Sequence, residues 1–91
     1  MAATEAEFVV TNKLGLHARA AARLVRLASR FPCEVEVGRD DQYSNAKSVM
    51  GVLLLCGSRG TTIQVRATGE GSEDAVRQIG ELINDRFGEA E

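Results

Sequence analysis

The 91-residue sequence has few of the residues on which several common classes of binding protein depend. It contains no Trp, one Tyr and three Phe, and its 11 Lys and Arg are outnumbered by 13 Asp and Glu. Nucleic-acid-binding domains typically carry an excess of basic residues and aromatic side chains on which bases stack. The composition therefore argues against nucleic acid as a partner.

Long apolar runs and clusters of metal ligands are also missing. The longest strongly apolar run, residues 52–56, is far shorter than the roughly 20 residues that span a bilayer, and residues 1–7 lack the features of a secretory signal. The single His and the widely spaced Cys33 and Cys56 do not favour a structural zinc site. We expect a cytoplasmic monomer without membrane insertion or a structural metal site, in which both cysteines are reduced, buried apolar residues.

The apolar patterning predicts a single α+β domain covering residues 1–91. Alternating strands and amphipathic helices occur in the order β-α-β-β-α-β-α, which favours one antiparallel sheet with helices on one face. Pro32 is expected to end the first helix and Ser72 to cap the last one, with Phe87 on its buried face. The predicted strands are 8–11, 33–37, 42–47 and 61–67, and the predicted helices are 18–31, 49–55 and a last one that begins near residue 72.

His17, the only histidine, directly precedes the first predicted helix. The first helical turn has unpaired backbone N–H groups and a partial positive charge, which bind phosphate readily and disfavour an imidazolium ring. A neutral imidazole nitrogen is a nucleophile that can accept a phosphoryl group against those donors. The alternative is an ordinary surface histidine near a helix cap. No carboxylate lies near His17 in the sequence to complete a hydrolytic triad.

Four arginines form a stripe that starts beside His17. Their spacing of four, three and four residues places them within about 40° of one another around the helix. Such a stripe attracts phosphate or an acidic partner, although a solvated helix face has the same pattern. The members of this arginine stripe are Arg19, Arg23, Arg26 and Arg30.

Ser48 precedes a short apolar segment, and its plain interpretation is that of a helix N-cap. A phosphate on Ser48 would be tolerated because negative charge is favourable at a helix N-terminus. Val49, Met50 and Leu53 follow it, and those of them that are exposed would form a docking patch. Core positions are the alternative for these apolar residues.

Two motifs together resemble the HPr family, the histidine-containing phosphocarriers of the bacterial phosphotransferase system. LGLHAR at residues 14–19 is similar to the family's active-site segment, and NAKSVMGV at 45–52 is similar to its regulatory serine segment. Their separation also matches, and the resemblance extends over about residues 7–87. Residues 11–15 are similar to the nitrogen-related branch of the family.

The resemblance implies an open-faced β-sandwich, with a four-stranded antiparallel sheet covered on one side by three helices, and a protein that needs no metal or cofactor of its own. It implies that His17 accepts a phosphoryl group on Nδ1 from Enzyme I, charged by phosphoenolpyruvate, and passes it to an EIIA-type protein. Arg19 and the amides of Ala18 and Arg19 would bind the phosphoryl oxygens. Ser48 matches the serine that HPr kinase/phosphorylase modifies. The residues expected to dock partners are Leu16, Arg23, Val49, Met50 and Leu53.

The sequence departs from the family pattern at Ala20, where a proline usually stands. Alanine preserves the helix but removes the fixed φ that proline contributes to a first turn. The acidic segment 88–91 is treated as freely variable. Besides the carrier, two functions stay open: a regulatory effector controlled mainly by phosphorylation of Ser48, and a generic interaction module in which His17 has no role.

Overall fold

The structure, a computed structural model, describes residues 3–91 and contains the predicted order of strands and helices. No helix within that range is long and apolar enough to cross a membrane. A 3-10 turn, Arg86–Gly88, follows the last helix. The elements are β1 (Ala3–Val9), α1 (Ala18–Ala28), β2 (Glu34–Arg39), β3 (Gln42–Asn45), α2 (Val49–Leu53), β4 (Thr62–Thr68) and α3 (Ser72–Asn84).

The four strands form one antiparallel sheet in the order β1-β4-β2-β3. Side chains alternate along each strand, so that Ile63, Val65 and Ala67 of β4 are buried while Gln64 and Arg66 lie on the opposite face. The helices cover the buried face, which confirms the predicted open-faced α+β sandwich.

Strand boundaries differ from the prediction where pairing overrides local preference. β1 begins at Ala3 and ends at Val9, because it pairs with β4 along its whole length despite its Ala and Glu residues. β2 continues through Gly38, and the hairpin turn consists of Asp40 and Asp41 alone. Both have positive φ, 51° and 67°, as a two-residue type I′ turn requires.

Two helix ends also differ from the prediction. α1 ends at Ala28 with Ser29 as its C-cap, before Pro32 is reached. α3 is capped by Gly71 in the left-handed conformation, and the Ser72 hydroxyl hydrogen-bonds Thr4 at 3.1 Å, so the prediction that Ser72 is the N-cap is wrong.

The core includes a residue from beyond the last helix. Phe87 lies in the 3-10 turn with φ 55° and has no exposed surface, although it was predicted to lie on the α3 face. Its burial fixes the position of the segment that follows. The prediction for the cysteines holds for Cys33 and is wrong for Cys56, which is exposed at a positive φ of 52° after α2.

Gly15 sets the approach of the chain to α1. Its φ is +65°, and a Cβ there would lie 2.4 Å from the Gly57 carbonyl oxygen. The next amide, that of Leu16, donates to the same oxygen at 2.8 Å. The loop before α1 is thereby held against the segment after α2 with no room for a side chain.

Replacing Gly15 with Ala is expected to lower the free energy of unfolding by roughly 2–3 kcal/mol, because the left-handed strain of about 1–2 kcal/mol adds to a backbone collision. Gly60→Ala is the matched control, since Gly60 also has positive φ but nothing lies within 4 Å of its Cβ position. Urea unfolding of both variants measures the difference. Equal losses in the two variants would show that the contact with Gly57 does not constrain the loop.

Candidate functional site

His17 is the N-cap residue of α1, with extended backbone angles of φ −78° and ψ 178°. Its side chain makes no capping hydrogen bond, and no acidic residue lies in the first turn of the helix. The first-turn N–H groups and the positive end of the helix are therefore left available beside the imidazole, as predicted. The ring is about one-quarter exposed.

A carboxylate contacts this ring. Glu89 Oε2 lies 2.5 Å from His17 Nε2, although 72 residues separate the two along the chain. Sequence reasoning missed Glu89, because it searched for a carboxylate only among the neighbours of His17 in the sequence. Segment 88–91, which was treated as variable, is part of the site.

Contacts on both sides of Glu89 hold this segment across the end of α1. The Arg23 guanidinium donates to the carbonyl oxygen of the buried Phe87. On the other side, the Lys13 backbone N–H donates to the Glu91 carbonyl at 2.9 Å. Glu89 is thus fixed by main-chain contacts as well as by its own side chain.

Asn12 connects the loop before α1 to Glu89. Its side chain has no exposed surface, and its Nδ2 donates to Glu89 Oε1 at 3.0 Å and to the Gly15 carbonyl at 2.8 Å. Both partners are acceptors, so the nitrogen of the amide must face them. The two oxygens of Glu89 therefore bind two different donors, Asn12 and His17.

These contacts keep Glu89 in its charged form. Burial raises the pKa of a carboxyl group, but the hydrogen bonds from Asn12 and His17, with the charges of His17 and Arg19, outweigh it and lower the pKa of Glu89. Glu89 therefore stabilises the folded chain above the ordinary glutamate pKa, and this contribution is lost as the pH falls through its lowered value.

Arg19 and the backbone of Ala18 occupy the first turn of α1, where the prediction needs them. Both residues are exposed, whereas the side chain of Ala20, the departure from the family pattern, is fully buried. Beside them lies an open depression of about 460 Å³. It is lined by Lys13, Leu14, Arg19, Glu89, Ala90 and Glu91.

Arg23 is half-buried, and its guanidinium donates to the Phe87 carbonyl, so it holds the last turn in place. Its part in docking partners stays a prediction. Of the other members of the arginine stripe, Arg26 on α1 and Arg30 just after its end are exposed.

Ser48 is the N-cap of α2, and its Oγ accepts the Gly51 N–H at 3.1 Å. The side chain is partly exposed. The neighbouring Lys47 ammonium donates to the carbonyls of Phe31 and Cys33, at 2.7 and 2.9 Å, which ties this turn to the segment after α1.

The apolar residues predicted to dock partners differ in their solvent exposure. Val49 and Met50 are exposed, by 38% and 68%, whereas Leu53 is only partly exposed. Leu16 was also expected to dock partners, but it is only 7% exposed, and its side chain lies against Gly57 in the core. No sequence pattern distinguishes Leu16 from the nearby Leu14, which is 65% exposed.

Comparison with known proteins gives consistent results. The model of the family described as "PTS HPr component phosphorylation site" matches residues 4–85. The phosphocarrier protein HPr of Pseudomonas putida is 48% identical over 86 residues, which cover 93% of this chain and 96% of the relative. The phosphocarrier protein NPr of Shewanella violacea is 38% identical over 90 residues, 99% of each chain. The crystal structure of HPr-C-His from Thermoanaerobacter tengcongensis superimposes with a TM-score of 0.92 at 39% identity, covering 97% and 99% of the two chains.

The carboxyl group of Glu89 is expected to titrate below the ordinary glutamate pKa of 4.5, because it accepts two hydrogen bonds next to Arg19. Carbon-13 NMR of the carboxyl group against pH measures this directly. Asn12→Ala should raise the midpoint more than Arg19→Gln, since a hydrogen bond is lost in the first variant and only a longer-range charge in the second. A wild-type midpoint at or above 4.5 would contradict the arrangement.

Proposed function

The chain belongs to the HPr family of phosphocarrier proteins of the phosphotransferase system, and from this premise we propose that His17 accepts a phosphoryl group from phosphorylated Enzyme I and passes it to EIIA-type proteins. Proteins of this family are carriers and not catalysts. The observation that carries the proposal is the imidazole at the uncapped N-terminus of α1.

The transfer is an exchange between two nitrogen atoms. A ring nitrogen of His17 donates its lone pair to phosphorus while the N–P bond to the donor histidine breaks, and that electron pair returns to the donor ring. In the second step His17 is the donor and the histidine of the EIIA-type protein is the acceptor. Neither step needs more than positioning and neutralisation of charge, and Enzyme I is recharged by phosphoenolpyruvate.

Residues at the start of α1 supply that neutralisation. The exposed Arg19 guanidinium is free to bind phosphoryl oxygens, and the amides of Ala18 and Arg19 lie at the positive helix end. Ala20 continues the helix where the family usually has proline, and His17 is the N-cap of this helix.

Partners are expected to dock on the exposed apolar residues next to this helix end. Leu14 precedes His17, and Met50 and Leu54 lie on and just after α2. The hydrogen bond from Leu16 to Gly57 brings these two segments side by side. An apolar patch that adjoins the reactive group allows a partner to enclose the phosphoryl group away from water.

We also propose that phosphorylation of Ser48 regulates the carrier, with HPr kinase/phosphorylase as the modifying enzyme. The Gly51 N–H uses a lone pair of Oγ and leaves the hydroxyl hydrogen replaceable. The phosphate would stand at the start of α2, directly beside the exposed Val49 and Met50. This adjacency favours, as a second candidate function, an effector whose binding depends mainly on Ser48.

Incubation with phosphoenolpyruvate and Enzyme I is expected to add one phosphoryl group to the chain, which is acid-labile because it is bound to nitrogen. Intact-mass measurement detects it, His17→Ala should abolish it and Ser48→Ala should leave it. A folded wild-type chain that stays unmodified by a competent donor would exclude the carrier function.

Ser48→Asp is expected to weaken docking to Enzyme I by about tenfold, because it places a charge beside the apolar patch. The measurement is the Enzyme I concentration at half-maximal phosphorylation rate. Gln42→Asp, which adds the same charge at the exposed start of β3, is the control. Equal effects of the two substitutions would show that Ser48 lies outside the docking surface.

A further inference from the structure

The Asn12 amide determines how Glu89 binds His17. Because Nδ2 of Asn12 faces two acceptors, Glu89 Oε1 and the Gly15 carbonyl, the side chain can only donate to Glu89. Rotating the amide would point its oxygen at a carboxylate and a carbonyl. Oε1 is therefore occupied, and Oε2 is directed at the imidazole.

The proton in the contact between Glu89 and His17 belongs to the ring. An ionised carboxylate only accepts hydrogen bonds, so Nε2 must be the donor across the 2.5 Å contact. In a neutral imidazole one nitrogen carries the proton and the other the lone pair. Nδ1 makes no hydrogen bond to any residue between 3 and 91. With the proton on Nε2, the lone pair of a neutral ring is on Nδ1.

We propose that Glu89 is a positioning residue of the phosphocarrier site, which holds His17 with the proton on Nε2 and so presents Nδ1 as the nucleophile. This inference rests on the proposed function. Main-chain anchors place Glu89 for this role, since Arg23 binds the Phe87 carbonyl and Lys13 binds the Glu91 carbonyl.

The Nε2 proton stays in place during transfer. When Nδ1 forms its bond to phosphorus, the ring acquires positive charge, which the carboxylate on Nε2 stabilises. When phosphorus leaves, the N–P electron pair returns to Nδ1 and the ring is again neutral, with its proton still bonded to Glu89. The contact between Glu89 and Nε2 thus supports both the acceptance and the release of the phosphoryl group, and no proton moves overall.

Glu89→Gln tests this role directly, because the hydrogen bond from Asn12 would determine which way the new amide faces. The donor Nδ2 of Asn12 requires the amide oxygen, so the NH₂ group would face His17 Nε2. Nε2 would then have to accept, and the proton would move to Nδ1. We expect the main tautomer of the neutral ring, read from its nitrogen-15 shifts, to change from Nε2–H to Nδ1–H.

The same variant should be phosphorylated by Enzyme I at least about tenfold more slowly than wild type, because its Nδ1 lone pair is blocked. Glu89→Asp keeps a carboxylate and should retain the Nε2–H tautomer. Glu70→Gln is the matched control, since this exposed carboxylate lies in the turn before α3 and does not touch the ring. It should match wild type in both measurements.

Two results would overturn the role of Glu89: a Glu89→Gln ring that keeps its proton on Nε2, or a rate lowered no more than in Glu70→Gln. A wild-type chain that accepts no phosphoryl group, while Glu89→Gln still changes the tautomer, would overturn the proposed function and support the tautomer assignment. Failure of the role of Glu89 and failure of the proposed carrier function therefore give different results.

Discussion

The buried amide of Asn12 is the constraint on which the site depends. It joins the loop before α1, through the Gly15 carbonyl, to a carboxylate near the other end of the chain. A buried donor without an acceptor costs about 1–3 kcal/mol, so the structure favours the position in which Glu89 accepts the hydrogen bond from Asn12. His17 then receives its partner as a consequence of this connection. The reactive ring is oriented by groups that do not themselves touch a phosphoryl group.

Two opposing charges act on His17 as a result. The uncapped end of α1 attracts anions, while Glu89 brings a negative charge to the other side of the ring. In the proposed transfer, an incoming phosphoryl group would be repelled by Glu89 and attracted by the helix end and Arg19. Because Glu89 bonds Nε2, its charge lies on the side of the ring away from Nδ1, and the helix end and Arg19 can stabilise the phosphoryl group without displacing it.

Local motifs allowed the fold order to be predicted from the sequence and His17, Arg19 and Ser48 to be selected as candidates, because helix ends and alternating strands depend on neighbouring residues. Glu89 could not be found in this way. Its position depends on Phe87 entering the core with positive φ and on Gly88 turning the chain, and no periodic pattern encodes such a return. The burial of Leu16 likewise depends on its contact with Gly57, which is distant in sequence.

The arginine stripe shows how one helical pattern can serve several purposes. The spacing of its members predicts four equivalent guanidinium groups on one face of a helix over residues 18–31, although α1 ends at Ala28. Tertiary contacts distinguish them: Arg19 lies beside the site, Arg23 binds the Phe87 carbonyl, and Arg26 and Arg30 remain exposed. Loss of Arg23 would therefore loosen the segment that carries Glu89, and slower transfer in such a variant would follow from a disturbed His17 even if no partner ever touched Arg23. Arg26 and Arg30 form no ion pair with any residue between 3 and 91, so in the proposed carrier they are the members of the stripe best able to attract an acidic partner.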